Sequence, residues 1–297
     1  MKNFCFNRIF AAVLILLATA TIFFACSKSN EATPDTNAND NKALAAASYE
    51  AQASTLYDDL FDVALAAGEE QGLSTNGRKA LQDRSMSKLG GCYDANLDDV
   101  TIDKWPKTLT LDFSPARNDS KGCTGTDGRV RSGKLIITMS GYVMMPGTTI
   151  TITTENYTVG GIKLDGTKVI KNETNSNGFK YSTKVTGGVI KLDTLTFGYS
   201  CEKVITQVEG AGTPFVTEDD VYSGTGTASL TYPGGTIVTY TTKEPLIKAL
   251  KCAWIGKGKA DVTFDQVTAT IDYGAGICDD SATVNIGDKV KGIILPR

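Results

Sequence analysis

From residue 92 onward, apolar and polar residues alternate in short runs, and this period of two most restricts the fold. Leu109, Leu111 and Phe113 alternate with Thr110 and Asp112, and Ile150 and Ile152 with Thr149, Thr151 and Thr153. Phe179 and Tyr181 alternate with Lys180 and Ser182, and Val204, Thr206 and Val208 read the same way. Such runs place one face of each strand in a core and the other in water. The 38 threonines supply the solvent faces, since β-branched side chains suit strands. Turn signals recur between the runs: Pro146-Gly147, Gly160-Gly161, Asp165-Gly166, Asn177-Gly178, Gly187-Gly188 and Pro233-Gly234-Gly235. This spacing predicts antiparallel hairpins. No helical run of ten residues separates the strands, which argues against a parallel α/β fold. The expected class is mainly β, with antiparallel sheets as a sandwich, partial barrel or long curved sheet, and one N-terminal amphipathic helix.

That helix is predicted over residues 43–67. Tyr49, Ala53, Leu56, Leu60, Val63 and Ala67 recur at steps of three and four, with Asp58, Asp59 and Asp62 on other faces. Ser48 is the expected N-cap and Gly68 the expected stop. A helix packed on the β body explains the pattern better than a partner-binding helix. Residues 69–91, with Gly72, Gly77, Gly90 and Gly91, read as a linker.

The N-terminus reads as an address. Lys2 and Arg8 precede an apolar run over residues 9–25, and Cys26 follows. A positive region, an apolar region and a small residue before the cut form an export signal. The FFAC sequence at 23–26 resembles the bacterial lipobox. The resemblance implies that residues 1–25 are a signal peptide and that Cys26 is lipidated and becomes the first mature residue. Residues 26–42 contain almost nothing apolar and are expected to be a disordered tether.

An internal repeat occupies both ends of the β region, with copies at 92–140 and 252–295. DVTIDKWPKTLTLDF at 99–113 aligns with DVTFDQVTATIDY at 261–273. Each copy has a cysteine before and after, and each leads into an apolar strand, KLII at 134–137 and KGIIL at 291–295. Trp105 and Trp254 stand near the start of each copy, in a packing role. The repeat pairs Cys92 with Cys123 and Cys252 with Cys278, disulfides suited to an exported protein. Each bridge is worth roughly 3–4 kcal/mol in the chain-entropy picture. Cys201 is left as a free thiol.

Candidate chemistry is sparse. The chain has no His, which removes a Ser-His-Asp triad, a Cys-His dyad and imidazole metal ligands. A net charge of −3 with dispersed Lys and Arg points away from nucleic acid. Paired carboxylates remain, as in glycosidases. The candidates are Asp98, Asp99, Glu218, Asp219, Asp220, Asp279 and Asp280, residue types that turns also favour. The loop GCTGTDGRVRSGK at 122–134 offers Gly and Asp for a cation, and Arg129 and Arg131 for an anion. It lacks phosphate-loop and EF-hand spacing, and a hairpin connection explains it as well. Ser85 and Lys88 spell a nucleophile motif in a glycine-flanked loop. Tyr142, Tyr157, Tyr181, Tyr199, Tyr222, Tyr232 and Tyr240 would make a glycan-stacking platform, although tyrosines on strands more often pack in the core. The reading names no catalytic residue, cofactor or metal.

Several segments together resemble β-rich lipoproteins of Bacteroidota-type bacteria. They are FFAC, the acidic Ala-rich helix, WPKTLTLDF, GCTGTDGRVRSGK, DDVYSGTGTASLTYPGG and TIDYGAGICDDSATV. The resemblance carries no activity with it. The expected protein is a cell-envelope lipoprotein, anchored to the outer membrane through Cys26 and facing the periplasm or the cell surface. Its β module is expected to be a binding or structural one, with a glycan or an envelope protein as partner. The alternative is a carbohydrate-active or other hydrolase using paired carboxylates.

Overall fold

The computed structural model describes residues 36–73, 89, 91, 93–101, 104–114, 122–176, 178–192, 194–213 and 218–295. The signal-peptide region, Cys26, Ser85, Lys88 and Cys92 lie outside them.

One helix precedes fourteen strands. They are α1 (Thr36–Glu70), β1 (Asp94–Leu97), β2 (Lys107–Asp112), β3 (Cys123–Thr124), β4 (Val130–Met139), β5 (Thr149–Val159), β6 (Ile162–Asn172), β7 (Lys180–Leu192), β8 (Leu195–Glu209), β9 (Val221–Thr231), β10 (Ile237–Ala249), β11 (Lys257–Phe264), β12 (Val267–Ala275), β13 (Ser281–Ile286) and β14 (Lys289–Ile294). All strands join a single antiparallel sheet, in chain order except that β3 pairs only with β4. The path runs from β1 to β14 without closing, so the strands form one open curled sheet and not a two-sheet sandwich. The period of two does what it predicted: in β2, Leu109 and Leu111 are fully buried while Thr110 and Asp112 are not. The second half of β8 departs from it. Val204, in register with exposed Ser200 and Glu202, lies on the outer face and is only half-buried, and Val208 is exposed.

The sheet curls because of what it covers. Buried residues of α1 lie on most sides of the helix: Ala47, Phe61, Ala53, Leu60, Val63 and Ala66. A helix rotates 100° per residue, so one flat sheet would cover only one stripe of it. Here α1 touches β5, β6, β7, β9, β11 and β12, and the strip bearing Asp58 and Asp62 stays exposed. The helix starts two turns earlier than expected, at Thr36 rather than 43, so the expected tether loses residues 36–42. Once later turns are anchored, extending a helix through polar residues costs little. Ser48 is therefore mid-helix and caps nothing. The helix also passes Gly68. Its end is set by Gly72 at φ 72°, with Leu73 N–H donating to Gly68 O (2.6 Å) and Gly72 N–H to Glu69 O (3.0 Å), a Schellman cap.

Two expected turns are not turns. Gly160 and Gly161, with φ of 58° and 80°, do form the β5–β6 hairpin. Asp165-Gly166 and Gly187-Gly188 instead lie inside β6 and β7, where the register shifts on both strands. These bulges make room for Tyr57 of α1. Its hydroxyl donates to Asp165 O (2.7 Å), and its ring stacks on Tyr199 at 4.7 Å.

The repeat is unequal in three dimensions. In the second copy, residues 261–263 belong to β11, whereas their counterparts 99–101 in the first copy form no strand. KLII sits on β4, beside β2, but KGIIL sits on β14, with β13 between it and β12. Cys252 and Cys278 are bridged across a separation of 26 residues, and Cys201 is a buried free thiol. Cys123 is disulfide-bonded, with its expected partner, Cys92, outside the described residues. Trp105 packs edge-on against Tyr142 at 5.0 Å.

A Cβ added at Gly188 would lie 2.5 Å from Tyr199 O and 2.8 Å from Tyr57 Oη. Gly188→Ala is expected to lose about 1–3 kcal/mol by urea unfolding. Gly212→Ala, where a Cβ meets nothing within 4 Å, should change stability by no more than about 0.5 kcal/mol.

Candidate functional site

Two adjacent acids on α1 meet two sets of bases from the sheet. Asp59, read from sequence as lying off the apolar face, is buried. Arg131 Nη2 contacts its carboxylate at 2.8 and 3.1 Å, Arg129 Nη1 lies 3.3 Å away, and Asp127 Oδ2 accepts from Arg131 at 2.7 Å. The 122–134 loop thus uses its arginines to hold the helix rather than an anion. Arg131 is nearly inaccessible to solvent. Partial burial works against the Asp127 charge, but hydrogen bonds from Arg131 and from the Arg129 amide outweigh it and lower its pKa. Asp58 is paired with Lys168 at 2.9 Å and Lys203 at 3.4 Å. Lys168 also donates to Tyr57 O (2.9 Å). Partial desolvation of the half-exposed Asp58 carboxylate works to raise its pKa, and the two ammonium groups overcome it to hold the carboxyl well below its usual range.

Glu50, two turns earlier, is a buried acid that sequence reading passed over. Its Oε1 has no hydrogen-bond partner among the described residues. Burial raises its pKa to about 7, against the pull of Lys203. The only sequence signal is an acid at helical spacing from apolar residues, which does not tell a core position from an exposed one.

The two ends of the sheet differ. In an antiparallel meander, alternate connections share an end. One end carries the short connections 160–161, 232–236, 265–266 and 287–288, together with the long β2–β4 connection that includes β3. The other carries residues 98–106, 140–148, 173–179, 210–220, 250–256 and 276–280. Long loops on a rigid scaffold are the usual place for binding. Val100 (83% exposed), Met145 (50%), Leu250 (38%) and Ile277 (71%) are exposed apolar side chains at this end, while Ile237 (54%) and Val130 (38%) lie at the other. The C-terminus of α1 lies at the same end, with Val143 N–H donating to Leu73 O at 3.0 Å. The Cys252–Cys278 bridge ties two of its loops together. At the tight-turn end, Lys42 of α1 lines an open depression of about 580 Å³ with Gly235, Thr236, Ile237, Phe264 and Asp265.

Every sequence-nominated carboxylate also lies at the long-loop end, and most are engaged within their own loops. Asp98 accepts from Thr108 N–H (2.8 Å), and Asp99 pairs with Lys104 (2.5 Å). Asp219 accepts from Thr213 (2.6 Å), Asp220 from Gln207 (2.8 Å) and Tyr222 (3.3 Å), and Asp279 from Ser281 N–H (2.9 Å). Glu218 is exposed, and the backbone carbonyl of Asp280 accepts from Leu295 N–H (2.7 Å). Among the described residues no three His, Cys, Asp or Glu converge as a metal site. The tyrosine platform does not form. Tyr157, Tyr199 and Tyr240 are buried, Tyr181 packs on Phe61, and Tyr232 on Phe197.

No protein-family model, curated protein or solved structure matches this chain. Among the described residues, no helix is long and apolar enough to cross a membrane.

Arg131→Met leaves two carboxylates facing a removed charge and is expected to cost about 3–5 kcal/mol in chemical unfolding. Arg131→Met with Asp59→Leu should recover part of that loss. Glu50 has a folded pKa above its unfolded value. Its contribution is therefore complete below about pH 4.5 and is lost as pH rises through about 7. Glu50→Gln should flatten the fall in stability across that window, by roughly 3 kcal/mol between its ends. An unchanged slope would show that Glu50 is not its source.

Proposed function

We propose that this chain is a lipid-anchored protein of the cell envelope, held in the outer membrane through Cys26, and that it works by binding a partner at the long-loop end of its sheet. The observation that carries the binding reading is the exposure of Val100, Met145, Leu250 and Ile277 on the connections of that end. The concave face offers less, since α1 fills it. Exposed apolar side chains on long loops are suited to a protein contact. Most of the tyrosines suited to stacking sugars, Tyr142 and Tyr222 excepted, are in or against the core, which favours an envelope protein over a glycan. Hydrolysis by paired carboxylates is less well supported, because most of the nominated acids are occupied within their own loops.

The anchor reading rests on the FFAC sequence and the polar segment after it. Residues 27–35 span at most about 30 Å when extended. They lead into the end of α1 opposite the long loops, and α1 itself is about 50 Å long.

Cells fed labelled palmitate should incorporate it into the wild-type chain and not into Cys26→Ala, and an unlabelled wild type would overturn the anchor. The binding end is tested separately, by cross-linking in intact cells. Val100→Asp, Met145→Asp and Ile277→Asp together should cut partner capture at least tenfold with the circular dichroism unchanged. Equal capture by the folded variant would overturn the binding end and leave the anchor standing.

A further inference from the structure

The sheet ends on β14, a six-residue strand whose polarity is the reverse of the strands inside it. On β13, Ala282 and Val284 are buried and face inward. Their partners across the ladder are Ile293 and Lys291, and Lys289 pairs with Ile286. The inner face of β14 therefore carries Lys289, Lys291 and Ile293. Its outer face carries Val290, Gly292 and Ile294, with Val290 68% and Ile294 72% exposed. Elsewhere in the sheet the outer face is largely threonine. Beyond β14 no strand follows among the described residues, so one side of its backbone remains a pairing edge.

We propose that this edge pairs with a second copy of the same chain, the two β14 strands running antiparallel about a two-fold axis through Gly292. The sequence around the axis, KVKGIIL at 289–295, is complementary to itself in this register. Val290 faces the partner's Ile294, and Ile294 faces the partner's Val290, so two β-branched pairs form on the outer face. On the inner face Lys291 faces the partner's Ile293, and Lys289 faces the partner's Leu295.

Lysines on an edge ordinarily deter pairing, and here they deter the competing registers. For the two concave faces to stay on one side, opposed residues must match in parity. Centring the axis on Lys291 sets lysine against lysine, and centring it on Val290 sets Lys289 against the partner's Lys291. Like charges directly opposed are destabilising. Centring on Gly292 gives the longest pairing without a lysine facing a lysine. The other edge, β1, is acidic at Asp94 and is followed by Asp98 and Asp99, so two β1 strands repel each other. An isologous β14 contact closes at two copies.

Gly292 allows a direct test, because a Cβ there meets nothing within 4 Å and the axis brings it against its own copy. Full-length Gly292→Cys in detergent should form a disulfide-linked dimer under mild oxidation. Thr283→Cys, set back on β13, should link at least tenfold less, since its copies would lie too far apart for a disulfide. Adding Val290→Lys and Ile294→Lys to Gly292→Cys should abolish linking while leaving circular dichroism unchanged, because both side chains are on the outside. Equal linking at positions 283 and 292, or linking that survives the two lysines, would overturn the proposal. Sedimentation of the wild type into species larger than a dimer would point to β1–β14 contacts and overturn it too.

Discussion

Everything in the β body depends on how α1 fills the concave face of the sheet. A sheet of this size with one apolar face must bury that face against something, and no second sheet is present among the described residues. The helix supplies the counterface with small residues, Ala46, Ala53, Ala66 and Ala67, that let the strands come close. Because it is buried on most sides, the strands must bend around it. The bulges at Gly166 and Gly187-Gly188 provide that bend where Tyr57 enters the sheet.

Charge fixes the helix within this wrapping. Apolar contacts against alanine tolerate sliding and rotation, whereas the Asp59–Arg131–Asp127 chain and the Lys168–Asp58–Lys203 bridge do not. Buried pairs of this kind contribute little net stability against an apolar alternative, yet are costly to break singly. Their effect is to specify one seating of the helix. That seating leaves the core occupied and gives the loops and the edges the surface on which other molecules can act.

Much of the β architecture could be read from neighbouring residues. The alternation at Leu109, Leu111 and Phe113 and the Gly160-Gly161 turn report on residues two apart, and both hold. Glycines were harder to interpret. Gly160 and Gly187 carry the same local signal, but one ends a strand and the other bulges within it. The difference lies in Tyr57, 130 residues away, whose hydroxyl needs the space. The candidate site shows the same limit. The arginines at 129 and 131 could be seen as a charged group, but whether they face a ligand or Asp59 depends on a helix distant in sequence.

By itself the sequence determined that the chain is mainly β, antiparallel and threonine-faced, with a single helix before the strands and a disulfide from Cys252 to Cys278. These follow from periodicity, turn residues and the repeat, all written in short stretches of chain. Only the tertiary structure decided that the sheet stays open and curls around α1, that Asp59 and Glu50 are buried, that most of the nominated tyrosines are core, and that most of the long connections share one end. Each of these depends on residues brought together from far apart. Burial and facing charge are properties of such meetings and are not carried by either partner alone.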